Sequence, residues 1–295
     1  MPVPLRHTMA QLPSSLRPVL EQWSSHHSIT MLPPELLHEL SHVSGLDKRE
    51  LTLALLPLAT CHAYAPLSHF QVGAIAWGGS GTCYLGANME FSHQALGQTI
   101  HAEQSAINHA WLHGETTVLG ITINASPCGH CRQFMNELNS SQGLAIYLPT
   151  GRYTLQQLLP YAFGPTELAI TDTLLTPQVH PLPPVPPAEA DPLLQLAQQA
   201  ATLSYAPYSQ SHAGVALQCG DGRCFVGRYA ENAAFNPSLP PLQSALSLLR
   251  MAGYAPEDVR LAALVEAKEG QLSHRHSTEM LLAAYGLHEL NYLAL

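Results

Sequence analysis

His101-Ala102-Glu103 and Pro127-Cys128-Gly129-His130-Cys131 supply the residue types of metal-assisted hydrolysis. One imidazole and two thiolates make three ligands for zinc, and a zinc ion with three protein ligands keeps its fourth position open for water. Zinc lowers the pKa of such a water to about 7, which gives hydroxide at neutral pH. Helices are expected to begin at His101 and around Cys128. Helix N-termini carry partial positive charge, which favours thiolates over thiols. Glu103, two residues from a ligand, is placed to carry protons for the water.

The order H-x-E then P-C-x-x-C is the signature of zinc deaminases. A C-x-x-C alone also reads as a redox pair or as half of a structural zinc site. Neither reading gives His101, Glu103 and Pro127 a role. His130 competes as a ligand by residue type, but three ligands are already supplied, so it reads as a neighbour or surface residue. Arg132 either donates to the thiolates and moderates their charge or is a plain surface arginine. Cys61, Cys83, Cys219 and Cys224 read as buried small hydrophobes, and the remaining histidines as solvent-facing.

The elements that must position these groups follow from patterning. Leu16, Val19, Leu20 and Trp23 recur at helical spacing. A helix is expected from Pro33-Pro34 to Gly45, carrying Leu36, Leu37, Leu40 and Val43. Asp47 and Glu50 form a capping pattern for a helix to about His62. Strands are predicted over 70–77 and 82–87, joined by Gly78-Gly79-Ser80-Gly81. A helix over 101–111, a strand over 118–125, a helix over 128–138 and a strand over 144–148 follow. That alternation argues a layered α/β unit.

Residues 177–192 read PQVHPLPPVPPAEADP, a stiff extended connector. The parts on either side are alike. Tyr64-Ala65-Pro66-Leu67-Ser68 recurs as Tyr205-Ala206-Pro207-Tyr208-Ser209, and Gly73 and Glu90 recur as Gly214 and Glu231. Residues 103–107 align with 242–246. This is a duplication. The second copy has Pro240 opposite His101 and Leu242 opposite Glu103, and no cysteine pair follows. It keeps the scaffold and lacks the ligands.

Composition narrows the function classes. Charged residues make up 11% and apolar residues 46% of the 295, so a folded core is expected and disorder is not. With Lys plus Arg at 12 and Asp plus Glu at 21, the net charge is −9. That argues against nucleic acid as a partner, since duplex binding needs cations on phosphates. No stretch approaches the roughly 20 apolar residues of a membrane span, and the N-terminus lacks an h-region. A cytoplasmic location with reduced thiols is the expectation.

Four stretches together resemble a known family: Phe70-Gln71-Val72-Gly73-Ala74, Gly86-Ala87-Asn88-Met89-Glu90-Phe91, His101-Ala102-Glu103-Gln104-Ser105-Ala106 and residues 127–138. They are similar to bacterial cytidine deaminases of the long-chain, two-domain, homodimeric branch, and residues 230–237 extend the likeness into the second copy. The resemblance implies an α/β fold of two tandem three-layer α/β/α domains with mixed sheets, plus a small N-terminal helical segment. The divisions expected are 1–46 (helical segment), 47–168 (catalytic domain), 169–192 (linker) and 193–295 (the copy without zinc ligands).

It further implies one Zn2+ per chain on His101, Cys128 and Cys131, with Glu103 shuttling protons. Asn88 and Glu90 would hold the ribose 3′-hydroxyl, with Met89 between them in the nucleoside motif. Phe70 would pack on the base, and the backbone around Ala102 and Ser126 would read the pyrimidine edge. Ser126 stands where Thr is common in the family; the hydroxyl is kept. The substrate class is then cytidine or 2′-deoxycytidine, deaminated for pyrimidine salvage. The second copy would complete the partner's site in a homodimer.

Two rivals remain at this stage. A deaminase of nucleotides would want Arg or Lys near the sugar phosphate, where Glu90 would repel it. A zinc-stabilised binding protein would leave Glu103 without a task.

Overall fold

The computed structural model describes residues 3–189 and 191–295. It opens with helices α1 (Val3–Gln11) and α2 (Arg17–Ser24), strand β1 (Met31–Leu32), and helices α3 (Pro34–Ser44) and α4 (Lys48–Thr60). α3 starts on its proline pair and stops at Gly45, whose φ of +72° suits glycine. α4 has the expected reciprocal cap: Glu50 N–H donates to Asp47 Oδ1, and Asp47 N–H donates to Glu50 Oε2.

The hairpin β2 (Gly73–Gly78) and β3 (Cys83–Ala87) follows, then α5 (Ala102–Leu112), β4 (Val118–Ile123), α6 (Gly129–Met135) and β5 (Ala145–Leu148). They come in the predicted order. The edge strand β6 (Gly151–Thr154) and the one-turn α7 (Leu155–Leu158) were not anticipated. Beyond the Pro-rich stretch come α8 (Pro192–Thr202), β7 (Ala213–Cys219), β8 (Cys224–Arg228), α9 (Pro241–Met251), β9 (Val259–Glu266), α10 (Arg275–Ala283) and β10 (Asn291–Ala294).

These strands form two mixed sheets, β1-β3-β2-β4-β5-β6 and β10-β9-β7-β8. β4 with β5 and β9 with β10 are the parallel pairs. One face of the first sheet packs Ile75, Trp77 and Leu85 against α4 and the N-terminal leucines Leu12, Leu16, Leu20, Leu36 and Leu40. The N-terminal segment is therefore a covering layer, and through β1 it also lends an edge strand to β3. The opposite face meets α5 and α6. In the second sheet, Ala216, Ala263 and Val265 pack on α8, and α9 lies on the other face, against α5. With helices on both faces, all of β2 is buried, so its sequence shows no polar alternation.

The duplication is visible in register. Gly73 pairs with Ala87 and Gly214 with Arg228, and the irregularity at Trp77/Gly78 recurs at Gln218/Cys219. In both copies a glycine lets a helix lie directly on a strand: a Cβ on Gly86 would fall 2.1 Å from Ala106 N, and one on Gly227 would fall 2.2 Å from Ala245 N. Some expectations of burial fail. Cys83 and Cys219 are buried, but Cys61 is half-buried and Cys224 exposed. His109, His212 and His274 are buried rather than solvent-facing. A histidine at 109 reaches Leu85 O at 2.8 Å through Nδ1, which satisfies a polar ring inside the core.

Candidate active site

Two helix starts meet. His101 is the N-cap of α5 and Cys128 the N-cap of α6, both with extended backbone. Gln104 Oε1 accepts the His101 N–H at 3.2 Å and fixes that entry. Cys128 Sγ lies 3.6 Å from His101 Nδ1 and 3.5 Å from Cys131 Sγ, and the three donor atoms all fall within 4.8 Å of one another. Tetrahedral zinc with Zn–S near 2.3 Å and Zn–N near 2.0–2.1 Å spaces its ligand atoms by roughly 3.6–3.8 Å. The donor types suit that ion, and the two spacings that involve Cys128 lie close to its geometry. Cys131 is buried while Cys128 is exposed, so the group faces outward on one side.

The electrostatics favour a thiolate. The hydrogen bond with Cys131 is the largest influence; burial opposes it, His101 adds to it, and the Cys128 pKa falls to about 3. Burial works against charge on His101, yet the adjoining Cys128 raises its pKa. Glu103 sits in the first turn of α5, 3% exposed. Burial pushes its carboxyl pKa up, against hydrogen bonds from its own N–H and from Cys131. It is a carboxyl beside the metal donors, biased toward holding a proton.

His130 stacks on His101 with ring centroids 4.7 Å apart, so it is a neighbour of the donor group. Arg132 does neither thing expected of it. Its Nε donates to Pro127 O at 2.8 Å, its Nη1 to Leu158 O at 2.6 Å, and its Nη2 reaches Ser126 Oγ at 3.5 Å. It braces the Ser126–Cys128 approach to α6 against α7.

Of the other sequence-predicted residues, Ala102 adjoins His101 and Ser126 lies two residues before Cys128 in the chain. Ala102 is the first residue of α5, where N–H groups lack intrahelical acceptors. Ser126 is exposed. Asn88 donates from Nδ2 to Phe70 O at 3.0 Å and accepts from Val72 N–H at 2.9 Å, so it pins the 70–72 segment. Glu90 accepts from Leu67 N–H at 2.8 Å, Ser68 N–H at 3.0 Å and the Ser68 hydroxyl. Burial opposes its charge, but these donors hold its pKa below the ordinary value. Met89 is in the core, its N–H and O both paired with Ile100. Phe70 is not a core strand residue. It precedes β2, follows His69 at φ +57°, and is 61% exposed.

Spacing gave no role to the contacts that tie the site to the second copy. Asn108 Nδ2 donates to Ser244 O at 3.0 Å, Ser247 Oγ to Ser105 Oγ at 2.8 Å, and Gln104 Nε2 to Pro237 O at 3.0 Å. Glu137, just past α6, is fully buried and accepts from Tyr205 Oη, Tyr208 Oη and Ala233 N–H. The available signal was a run of polar residues inside α5 and an acidic residue after α6 with no basic partner nearby.

Comparison with known proteins agrees with this geometry. Residues 46–145 and 155–279 each match models described as the cytidine and deoxycytidylate deaminase zinc-binding region. The chain is 54% identical over 280 residues to the cytidine deaminases of Yersinia pestis (strain Pestoides F) and Yersinia pseudotuberculosis serotype O:1b, covering 94% of this chain and 94% of theirs. Among solved structures, the cytidine deaminase from Mycobacterium tuberculosis is 34% identical with a TM-score of 0.34, covering 36% of this chain and 89% of that one.

Proposed function

We propose how this chain, which belongs to the cytidine deaminase family, carries out the zinc-dependent hydrolytic deamination of cytidine to uridine and ammonia. The observation that carries the residue assignment is the convergence of His101, Cys128 and Cys131 beside a buried Glu103. The three would hold one zinc, which when bound acidifies a ligated water.

Glu103 takes the proton that water gives up as its oxygen adds to C4 of the base, and delivers it to N3. It then carries a proton to the exocyclic amino group, so that ammonia leaves and uridine remains. One carboxyl serves as base and acid twice, because both protons of the water pass through it: the first goes to N3 and stays there, and the second, from the new hydroxyl on C4, goes to the amino group. Its raised pKa suits a group that must hold a proton between the two steps.

Substrate binding follows from what is left unused. Asn88 has one committed N–H of two, and Glu90 has three committed acceptor sites of about four. One donor and one acceptor remain for the ribose 3′-hydroxyl. Nothing in that pair reads the 2′ position, so 2′-deoxycytidine is a substrate in the same reading. Phe70 packs on the base, and the N–H of Ala102 with the backbone at Ser126 reads its polar edge. Met89 shapes this motif from the core.

The chain works as a homodimer in this reading. Leu67, Phe70 and Leu96 are exposed apolar residues on the segments that flank the site, the kind of surface a second copy covers. The division into 1–46, 47–168, 169–192 and 193–295 stands as part of the proposal. It is supported by a first sheet that ends at Thr154 and a second that begins at Ala213. No helix among the described residues is long and apolar enough to cross a membrane. We place the chain in the cytoplasm because the two ligating thiols must stay reduced.

Metal analysis paired with product detection tests the reading. One zinc per chain, with uridine and ammonia formed in equal amounts, is expected. A folded Cys128→Ser variant that keeps both zinc and turnover would overturn the ligand assignment.

A further inference from the structure

α6 has seven residues, two turns at most. A helix this short holds no orientation by itself; tertiary contacts set it. Its N-terminal end carries both thiols. Its other end runs into Glu137, about 9 Å further along at 1.5 Å per residue.

Glu137 is entirely buried, and every donor that satisfies its side chain comes from the second copy. Oε1 accepts from Tyr205 Oη at 2.6 Å and Tyr208 Oη at 2.5 Å, and Oε2 accepts from Ala233 N–H at 2.9 Å. Asn232 Nδ2, also from that copy, donates to Gln133 O within α6 at 3.0 Å. No salt bridge involves Glu137 among the described residues. The carboxylate therefore depends on these donors, and a buried carboxylate left without them is costly.

The repeat shows where the contact arose. Tyr205 stands where the first copy has Tyr64, but Tyr208 stands where the first copy has Leu67. The second copy has a hydroxyl at that position, and the hydroxyl is spent on Glu137.

We propose that Glu137 is a positioning residue for the zinc site: with Tyr205, Tyr208 and Ala233 it latches the far end of α6 to the second copy, and so fixes where Cys128 and Cys131 present their sulfurs. The copy without ligands thereby serves the metal within its own chain, independently of any dimer. Glu137→Gln turns an acceptor toward Ala233 N–H into a donor, or costs the tyrosines theirs. α6 then tilts, and the 3.5 and 3.6 Å donor spacings are no longer held.

The proposal rests on the zinc reading above, and the test separates the two. Zinc release to a chromogenic chelator is timed, and the spectrum of the cobalt(II)-substituted chain is recorded, for wild type, Glu137→Gln and Glu115→Gln. Glu115 is the control: a buried carboxylate of the α5–β4 connection that accepts from Ser80, in the β2–β3 turn, and from Tyr84. Groups beyond the ligands typically change metal affinity 10–100-fold. Glu137→Gln is expected to release zinc about tenfold faster with a shifted thiolate–cobalt band, while Glu115→Gln loses stability with release and spectrum unchanged.

If Glu137→Gln melts earlier but matches wild type in release and spectrum, the latch is structural only and the proposal fails. Should Glu137→Gln not fold, Tyr208→Phe removes one donor and keeps the ring. Release about threefold faster supports the latch, and unchanged release overturns it. A wild-type chain that takes up no zinc overturns the metal reading itself.

Discussion

Glu90 and Glu231 hold the same turn in the two copies. Glu90 accepts from Leu67 N–H and Ser68 N–H; Glu231 accepts from Tyr208 N–H at 2.7 Å and Ser209 N–H at 3.1 Å. The copy without metal ligands keeps the clamp, so the clamp is a requirement of the fold. With the proposed ribose contact, Glu90 has two tasks and Glu231 one. Each substitution to Gln removes a charge-assisted clamp and is expected to lower stability by about 1–3 kcal/mol. Only Glu90→Gln is expected to raise KM for cytidine, by about tenfold, the equivalent of about 1.4 kcal/mol. Denaturant unfolding and steady-state kinetics on both variants check this. Equal KM effects would remove the ribose assignment.

Glu103→Gln keeps the volume of the side chain and removes the proton carrier. Turnover is expected to fall at least about 100-fold, toward 10,000-fold, the usual range for general acid–base groups. Zinc content is expected to be unchanged, because the three ligands are elsewhere. Single-turnover kinetics with metal analysis check it; substantial residual turnover would sink the assignment.

Gly86 and Gly227 are matched points of helix–strand contact. Alanine at either puts a methyl group against helix backbone at 2.1–2.2 Å. Backbone cannot yield as a flexible side chain does, so each is expected to destabilise the fold by about 3 kcal/mol or more, the upper end of overpacking. Thermal unfolding of the two variants decides it, and a loss under 1 kcal/mol would contradict the contact.

Buried histidines set an acid limit. His274 is 7% exposed, its Nε2 makes no hydrogen bond among the described residues, and burial lowers its pKa from 6.5 to about 4. Between those two values the unfolded chain binds the proton and the folded one does not. Its contribution is complete above pH 6.5 and is lost as pH falls toward 4. His274→Asn, with a better N-cap residue at the start of α10, is expected to flatten the pH slope of stability by up to about 1.4 kcal/mol per unit in that window. Urea titrations at pH 4.5, 5.5 and 6.5 measure the slope; identical slopes would contradict it.

Much of this architecture was legible in the residues. His101, Cys128 and Cys131 could be named as one donor group because ligand chemistry restricts the residue types, and Asp47 with Glu50 marked a helix start that the structure reproduces. Gly73 and Gly214 revealed the duplication because close packing permits nothing larger there. What stayed hidden has physical reasons. β1 and β6 are short edge strands, too brief for a periodic signal. α5 is buried from Ala102 to Ala110, so it has no amphipathic face to read. The partners of Glu137 lie 68 to 96 residues away, and no local pattern links an acid to a distant hydroxyl. Arg132 was misjudged because spacing placed it near the thiolates, while its reach took it to Leu158 O.

The most direct test of the central claim follows cytidine by its ultraviolet absorbance in the presence of the purified chain, before and after a zinc chelator is added and zinc is then restored. Steady loss of the cytidine absorbance, arrest on chelation and recovery with zinc are the expected results. A folded chain, carrying zinc on His101, Cys128 and Cys131, that leaves cytidine unchanged would contradict it.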